Sequence, residues 1–273
     1  MSSTGDKMKR NRSTKGDRYI DGLEKLMEID GKAGEAVVES LKDIAPDLGR
    51  YIIEFSFGDI YSRKGTDLRQ KEIAVVAALT AMGNVSPQLK VHTRAALNVG
   101  CSPEELVEVM IQMAVYNGFP SAINGINTLK EVLKEENLNI KPTEEGEKTD
   151  RFSHGAEWLS KLDKNQLDVL RENFKDTAPD LVKFTVAFGY GDVFSRENLD
   201  PKMRQIATIA ALTAIGTAQP QLAFHIKGGL NIGLTKEEII ETIILMTTYS
   251  GFPSAINAIN TAKEVFDEID LDE

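Results

Sequence analysis

Gly118-Phe119-Pro120-Ser121-Ala122-Ile123-Asn124 recurs, residue for residue, as Gly251-Phe252-Pro253-Ser254-Ala255-Ile256-Asn257, 133 positions later. Moving outward from these two stretches, the same offset lays Arg18 on Arg151, Ala45-Pro46-Asp47-Leu48 on Ala178-Pro179-Asp180-Leu181, and Gly58-Asp59 on Gly191-Asp192. It also lays Ala77-Ala78-Leu79-Thr80-Ala81 on Ala210-Ala211-Leu212-Thr213-Ala214, and His92 on His225, without a gap. Repeats of roughly 20–50 residues build solenoids. A unit of 133 residues is the size of a whole domain. The chain therefore reads as one domain written twice, and the two copies are expected to pack as a pseudo-symmetric pair.

The 273 residues suit two domains, and 41 % hydrophobic with 27 % charged residues is ordinary globular usage. A net charge of −10 argues against nucleic acid, whose phosphates call for a basic surface. A single cysteine forms no internal disulfide, which fits a reducing cytoplasm. No apolar run of about 18 residues is present to span a bilayer. Residues 1–17 are polar and basic without an apolar segment behind them, and read as a disordered tail.

Glycine and proline fall between segments of helical period, which predicts an all-α fold. In the first copy helices are expected over Arg18–Ile29, Gly34–Ile44 and Asp47–Tyr61. Leu68–Met82 is nearly all apolar and predicts a helix buried on most sides. Ser86, ahead of Pro87, reads as an N-cap, and Gly100 closes that helix. Ser102 and Glu105 form a capping box, repeated by Thr235 and Glu238. Gly118 ends the helix that follows, and Pro120 starts a last one. The division expected is a first domain over 18–138, a linker over 139–150 and a second domain over 151–273.

Several of these stretches together resemble the carboxymuconolactone decarboxylase family. They are Gly58-Asp59-Ile60-Tyr61-Ser62-Arg63, Lys90-Val91-His92-Thr93-Arg94-Ala95-Ala96-Leu97-Asn98-Val99-Gly100, and Ala114-Val115-Tyr116-Asn117-Gly118-Phe119-Pro120. The resemblance implies the alkylhydroperoxidase D-like helical fold. It also implies assembly as a homo-oligomer, a trimer of tandem chains with pseudo-hexameric character. Thiol peroxidases of that superfamily carry C-x-x-C four and seven residues before the histidine. Here those positions hold Gln88 and Val85, and in the second copy Gln221 and Ala218. Cys101 is replaced by Leu234 in the second copy, which favours an apolar filler.

The activity implied is loss of CO₂ from a small-molecule carboxylate, a carboxylated lactone or related acid, with no cofactor and no metal. Such a site must hold the leaving carboxylate, stabilise an oxygen anion and deliver a proton to carbon. His92 and His225 are the first candidates, although each could equally be a satisfied core histidine. Glu72 faces Gln205 under the repeat, so a carboxylate acid–base group exists only in the first copy; a carboxylate near a helix start also complements the helix dipole. Tyr116 and Tyr249 could donate to an oxyanion or simply pack. For anion binding the candidates are Arg204 and its counterpart Lys71, together with Arg63 and Arg196, which could instead clamp helix ends. Gln112, replaced by Leu245, lies four residues before Tyr116 on the same helical face. These differences predict two chemically unequal pockets, with proton transfer in the first and Arg204 contributing if the domains share a cleft. Two other readings stay open: a peroxidase-like oxidoreductase and a non-enzymatic ring-forming or binding protein.

Overall fold

Each copy folds from the same sequence of helices. The computed structural model describes residues 16–144, 146 and 149–272. Most of the basic tail lies outside the described residues. The first copy contains α1 (Asp17–Ile29), α2 (Lys32–Glu39), α3 (Pro46–Tyr51), α4 (Leu68–Met82), α5 (Ser86–Asn98) and α6 (Pro103–Glu135). α3 runs into a π-helical segment, π1 (Ile52–Tyr61). The second copy repeats this as α7 (Arg151–Leu162), α8 (Gln166–Phe174), α9 (Pro179–Phe184), π2 (Thr185–Phe194), α10 (Pro201–Ile215) and α11 (Gln219–Asn231). It ends with α12 (Lys236–Leu245) and α13 (Phe252–Asp272). No strand occurs among the described residues.

The local chemistry explains most boundaries. Ser102 and Thr235 close capping boxes with Glu105 and Glu238, as their spacing predicts. Gly83 and Gly216 end α4 and α10 in left-handed conformation. The repeated Gly-Phe-Pro marks a kink: Gly118 and Gly251 take φ of 84° and 85°, values open to glycine and costly to other residues. Three expectations are corrected. Ser86 is the first residue inside α5 and makes no side-chain cap, because Val85 occupies the cap position. α2 stops at Glu39, five residues before the predicted end. The helix predicted over Asp47–Tyr61 changes from α to π at Ile52.

α4 and α10 form the centre of the molecule and pack against each other across the two copies. Their alanines (Ala74, Ala77 and Ala78; Ala207, Ala210 and Ala211) are buried, and with no bulky side chain between them the helices can lie close together. α1 lies against π1 and α7 against π2. Gly22 and Gly155 permit this contact, since a Cβ there would strike the Ile53 or Val186 carbonyl. The arginine that starts each of these helices pairs with the aspartate of Gly-Asp: Arg18 with Asp59, and Arg151 with Asp192.

Charge joins the copies. Glu108 on α6 is buried and accepts hydrogen bonds from Arg196 (2.8 Å) and Arg204 (2.9 Å) of the second copy. Gln112, one turn further on, accepts from Arg204 (3.1 Å) and donates to Thr208 Oγ1 and the Arg204 carbonyl, both at 2.8 Å. In the mirrored position Glu241 accepts from Arg63 at 2.6 and 2.7 Å, while Lys71 donates to the Tyr61 and Arg63 carbonyls. Burial alone would raise the Glu108 carboxyl, but the hydrogen bonds from Arg196 and Arg204 outweigh it and hold it below the usual range. Glu108→Gln leaves Arg204 buried without its counter-charge and should cost about 3–5 kcal/mol. Glu241→Gln should cost about 1 kcal/mol, because the Arg63 side chain is 43 % exposed and can turn to water. Chemical denaturation of both variants checks the difference.

Candidate active site

The site in the first copy is assembled around His92, which α5 presents towards Glu72 on α4. Glu72 is fully buried, and its Oε2 lies 3.0 Å from His92 Nδ1. Its Oε1 accepts from the Tyr61 hydroxyl at 2.8 Å. The Tyr61 hydroxyl lies 2.7 Å from that of Tyr249, which in turn lies 3.1 Å from His92 Nε2. The four groups form a closed ring, and Tyr249 comes from the other copy.

Closure fixes a proton count. Four contacts require four protons, one along each edge. An ionised Glu72, a neutral His92 and two phenols supply only three. With three, one pair of acceptors would face each other without a proton, a repulsive arrangement for oxygens as close as 2.7 Å. The phenols keep their protons: burial, then the Glu72 charge, push both Tyr61 and Tyr249 well above the ordinary tyrosine range. The ring is therefore complete only when Glu72 and His92 together hold one proton more than a carboxylate and a neutral imidazole. In that state His92 Nε2 donates to Tyr249. His92 and Tyr249 are the partly exposed members, while Tyr61 and Glu72 are buried.

The second copy has the same scaffold and different chemistry. His225 Nδ1 lies 2.9 Å from Gln205 Oε1, and His225 Nε2 lies 3.1 Å from the Tyr116 hydroxyl of the first copy. Phe194 stands where the first copy has Tyr61, so the ring cannot close. A neutral imidazole donating from Nδ1 and accepting at Nε2 satisfies both contacts. Burial pushes His225 down to about 3, so at neutral pH it stays a neutral imidazole whose one proton is held by Gln205.

In the structure α6 carries Tyr116 to His225, and Tyr249 of the second copy meets His92. Arg204 and Arg196 pair with Glu108, Arg63 pairs with Glu241 and Gln112 meets Arg204 and Thr208, all across the two copies, while Lys71 donates to carbonyls of its own copy. Two residues escaped the sequence reading. Tyr61 was visible as an asymmetry, since the repeat sets it against Phe194. Asp30, at the end of α1, is buried beside the pair, and its Oδ1 has no hydrogen-bond partner among the described residues.

Burial raises Asp30 to about 6; the His92 field works against this, while the Glu72 charge adds to it. A carboxyl with a raised folded-state value favours folding below its unfolded value of 3.8 and loses that advantage as pH rises through about 6. Asp30→Asn should therefore gain stability relative to the parent as pH increases across this window. Paired denaturation curves at its two ends check the sign.

The carboxymuconolactone decarboxylase family model matches the chain twice, over residues 46–131 and 179–264. The 4-carboxymuconolactone decarboxylase of Acinetobacter baylyi is 32 % identical over 126 residues, covering 46 % of this chain and 92 % of that protein. The nitrosuccinic acid decarboxylase of Metarhizium robertsii is 36 % identical over 88 residues, 32 % of this chain and 60 % of its own length. A solved structure provisionally assigned as a gamma-carboxymuconolactone decarboxylase subunit of Burkholderia xenovorans shares the fold, with a TM-score of 0.55 and 22 % identity over 90 % of this chain and 96 % of that one. With the family model matched in both halves, on two helical units whose histidines each meet a tyrosine of the other half, this chain belongs to the carboxymuconolactone decarboxylase family, in tandem form.

Proposed function

We propose that the chain is a cofactor-independent carboxy-lyase that removes CO₂ from a small carboxylated lactone or a related acid at the first-copy centre. The observation that carries this reading is the closed Glu72–His92–Tyr249–Tyr61 ring, whose four contacts call for one proton more than a carboxylate and a neutral imidazole supply. Decarboxylation of a carboxylate consumes one proton. The C–C bond to the carboxylate breaks, and its electron pair spreads through the adjacent C=C bond to the lactone carbonyl. The pair returns to carbon as the proton arrives. His92 and Tyr249, the partly exposed members of the ring, polarise the carbonyl oxygen and pass on the stored proton. Glu72 holds the imidazole in place. The stored proton also cancels the Glu72 charge, which would otherwise repel a substrate carboxylate.

A thiol peroxidase would need a thiolate. Cys101 is buried, and burial pushes its thiol up to about 12. A ring-forming role is compatible with catalysis. Phe119 and Ile123, with their counterparts Phe252 and Ile256, are more than half exposed at matching places in the two copies, as an assembly of like units requires. Three chains of 30.1 kDa would sediment near about 90 kDa.

His92→Gln, which keeps polarity and most of the volume, should fold and lose about 10²–10⁴-fold in turnover of 4-carboxymuconolactone, the usual range for a positioned acid–base group. His225→Gln should leave turnover within about threefold, because its imidazole is neutral and its one proton is held by Gln205. A chelator and Cys101→Ser should leave the rate unchanged. Equal losses at the two histidines would contradict placement of the chemistry in the first copy. No loss at His92 would refute the reading.

A further inference from the structure

Beside His225 lies a partly open cavity of about 620 Å³, within the range of small-molecule sites. Phe174, Phe188, Phe194 and Phe224 line it with Tyr116 and Tyr190, alongside aliphatic residues and uncharged amides. No aspartate, glutamate, lysine or arginine lines it. The one titratable ring, His225, is held neutral by burial. Arg204, the cation nearest in sequence to Gln205, is turned to Glu108 and Gln112.

The polar atoms that remain are uncharged. Tyr116 shares its proton with His225 Nε2, leaving its oxygen as an acceptor. Tyr190 is 8 % exposed and lines the cavity. Its hydroxyl is a neutral donor from which a ligand oxygen in the cavity could accept. An anion in this cavity would lose its hydration with no counter-charge to replace it, which disfavours carboxylates strongly.

We infer that the second copy is a binding site for a neutral, ring-bearing organic molecule with a hydroxyl or carbonyl oxygen, and not a second acid–base centre. The aromatic walls take the ring, the Tyr190 hydroxyl donates to the ligand oxygen, and the Tyr116 oxygen accepts where the ligand offers a proton. This inference does not rest on the reaction proposed for the first copy, since it depends only on the cavity and its neutral lining.

The test uses 2-naphthol and 2-naphthoate, a neutral and an anionic probe of similar shape, titrated into the full-length protein and followed by probe fluorescence and calorimetry. Gly189→Leu fills the cavity. A Cβ at Gly189 would make an ordinary 3.6 Å contact with Val115, and the first copy already carries Ser56 at the matching place. The expected result is naphthol binding at least about tenfold tighter than naphthoate binding, abolished by Gly189→Leu in a protein that still melts cooperatively. Tyr190→Phe, which removes one hydroxyl, should weaken naphthol by about 3–10-fold, the usual worth of one hydrogen bond. Naphthoate binding as tightly as naphthol in a manner lost in Gly189→Leu would overturn the neutral-ligand assignment. Absence of naphthol binding, or binding unchanged in both variants, would overturn the site itself.

Discussion

The exchange of tyrosines between the copies is the constraint on which the rest of the structure depends. Neither histidine completes its hydrogen bonds within its own copy: His92 needs Tyr249, and His225 needs Tyr116. The exchange holds only while α4 and α10 stay in register, and their buried alanine faces provide that. The Glu108–Arg196–Arg204 and Glu241–Arg63 clamps then set the two copies against sliding. A duplicated gene normally frees one copy to drift. Here each copy supplies part of the other's centre, so the scaffold of both is held even where the chemistry of one has changed.

That change is concentrated in few positions. Glu72 and Tyr61 become Gln205 and Phe194, and a closed ring becomes an open chain. Lys71 becomes Arg204, whose fork of donors reaches Gln112 as well as Glu108. In the mirrored position Leu245 stands where Gln112 does, and Lys71 donates to backbone carbonyls instead. The second centre spends its polar groups on joining the copies, while the first keeps Glu72 and His92 for a proton.

Much of this was readable in the residues. The repeat, the capping boxes and the buried Leu68–Met82 helix announced themselves through spacing and composition. Glu72 was legible as a carboxylate confined to the first copy, and His92 as a histidine that both copies share. What could not be read was which copy each tyrosine serves, because Tyr116 is near His92 in sequence and only the crossing of α6 over the second copy separates them. The partners of the arginines were hidden for a related reason. Glu108 and Glu241 sit inside amphipathic helices, where an acid reads as a solvated face until the other copy buries it. Asp30 gave no signal, since an aspartate at a helix end is ordinary and only the fold brings it to Glu72.

The central claim is that ring closure stores a proton at His92, and imidazole ¹⁵N NMR of the full-length protein at neutral pH tests it most directly. The account predicts that His92 Nε2 is protonated in the parent protein and bare in Tyr61→Phe, where two contacts remain and two protons suffice. His225 Nε2 should be bare in both. A His92 Nε2 without a proton in the parent protein, indistinguishable from His225, would contradict it.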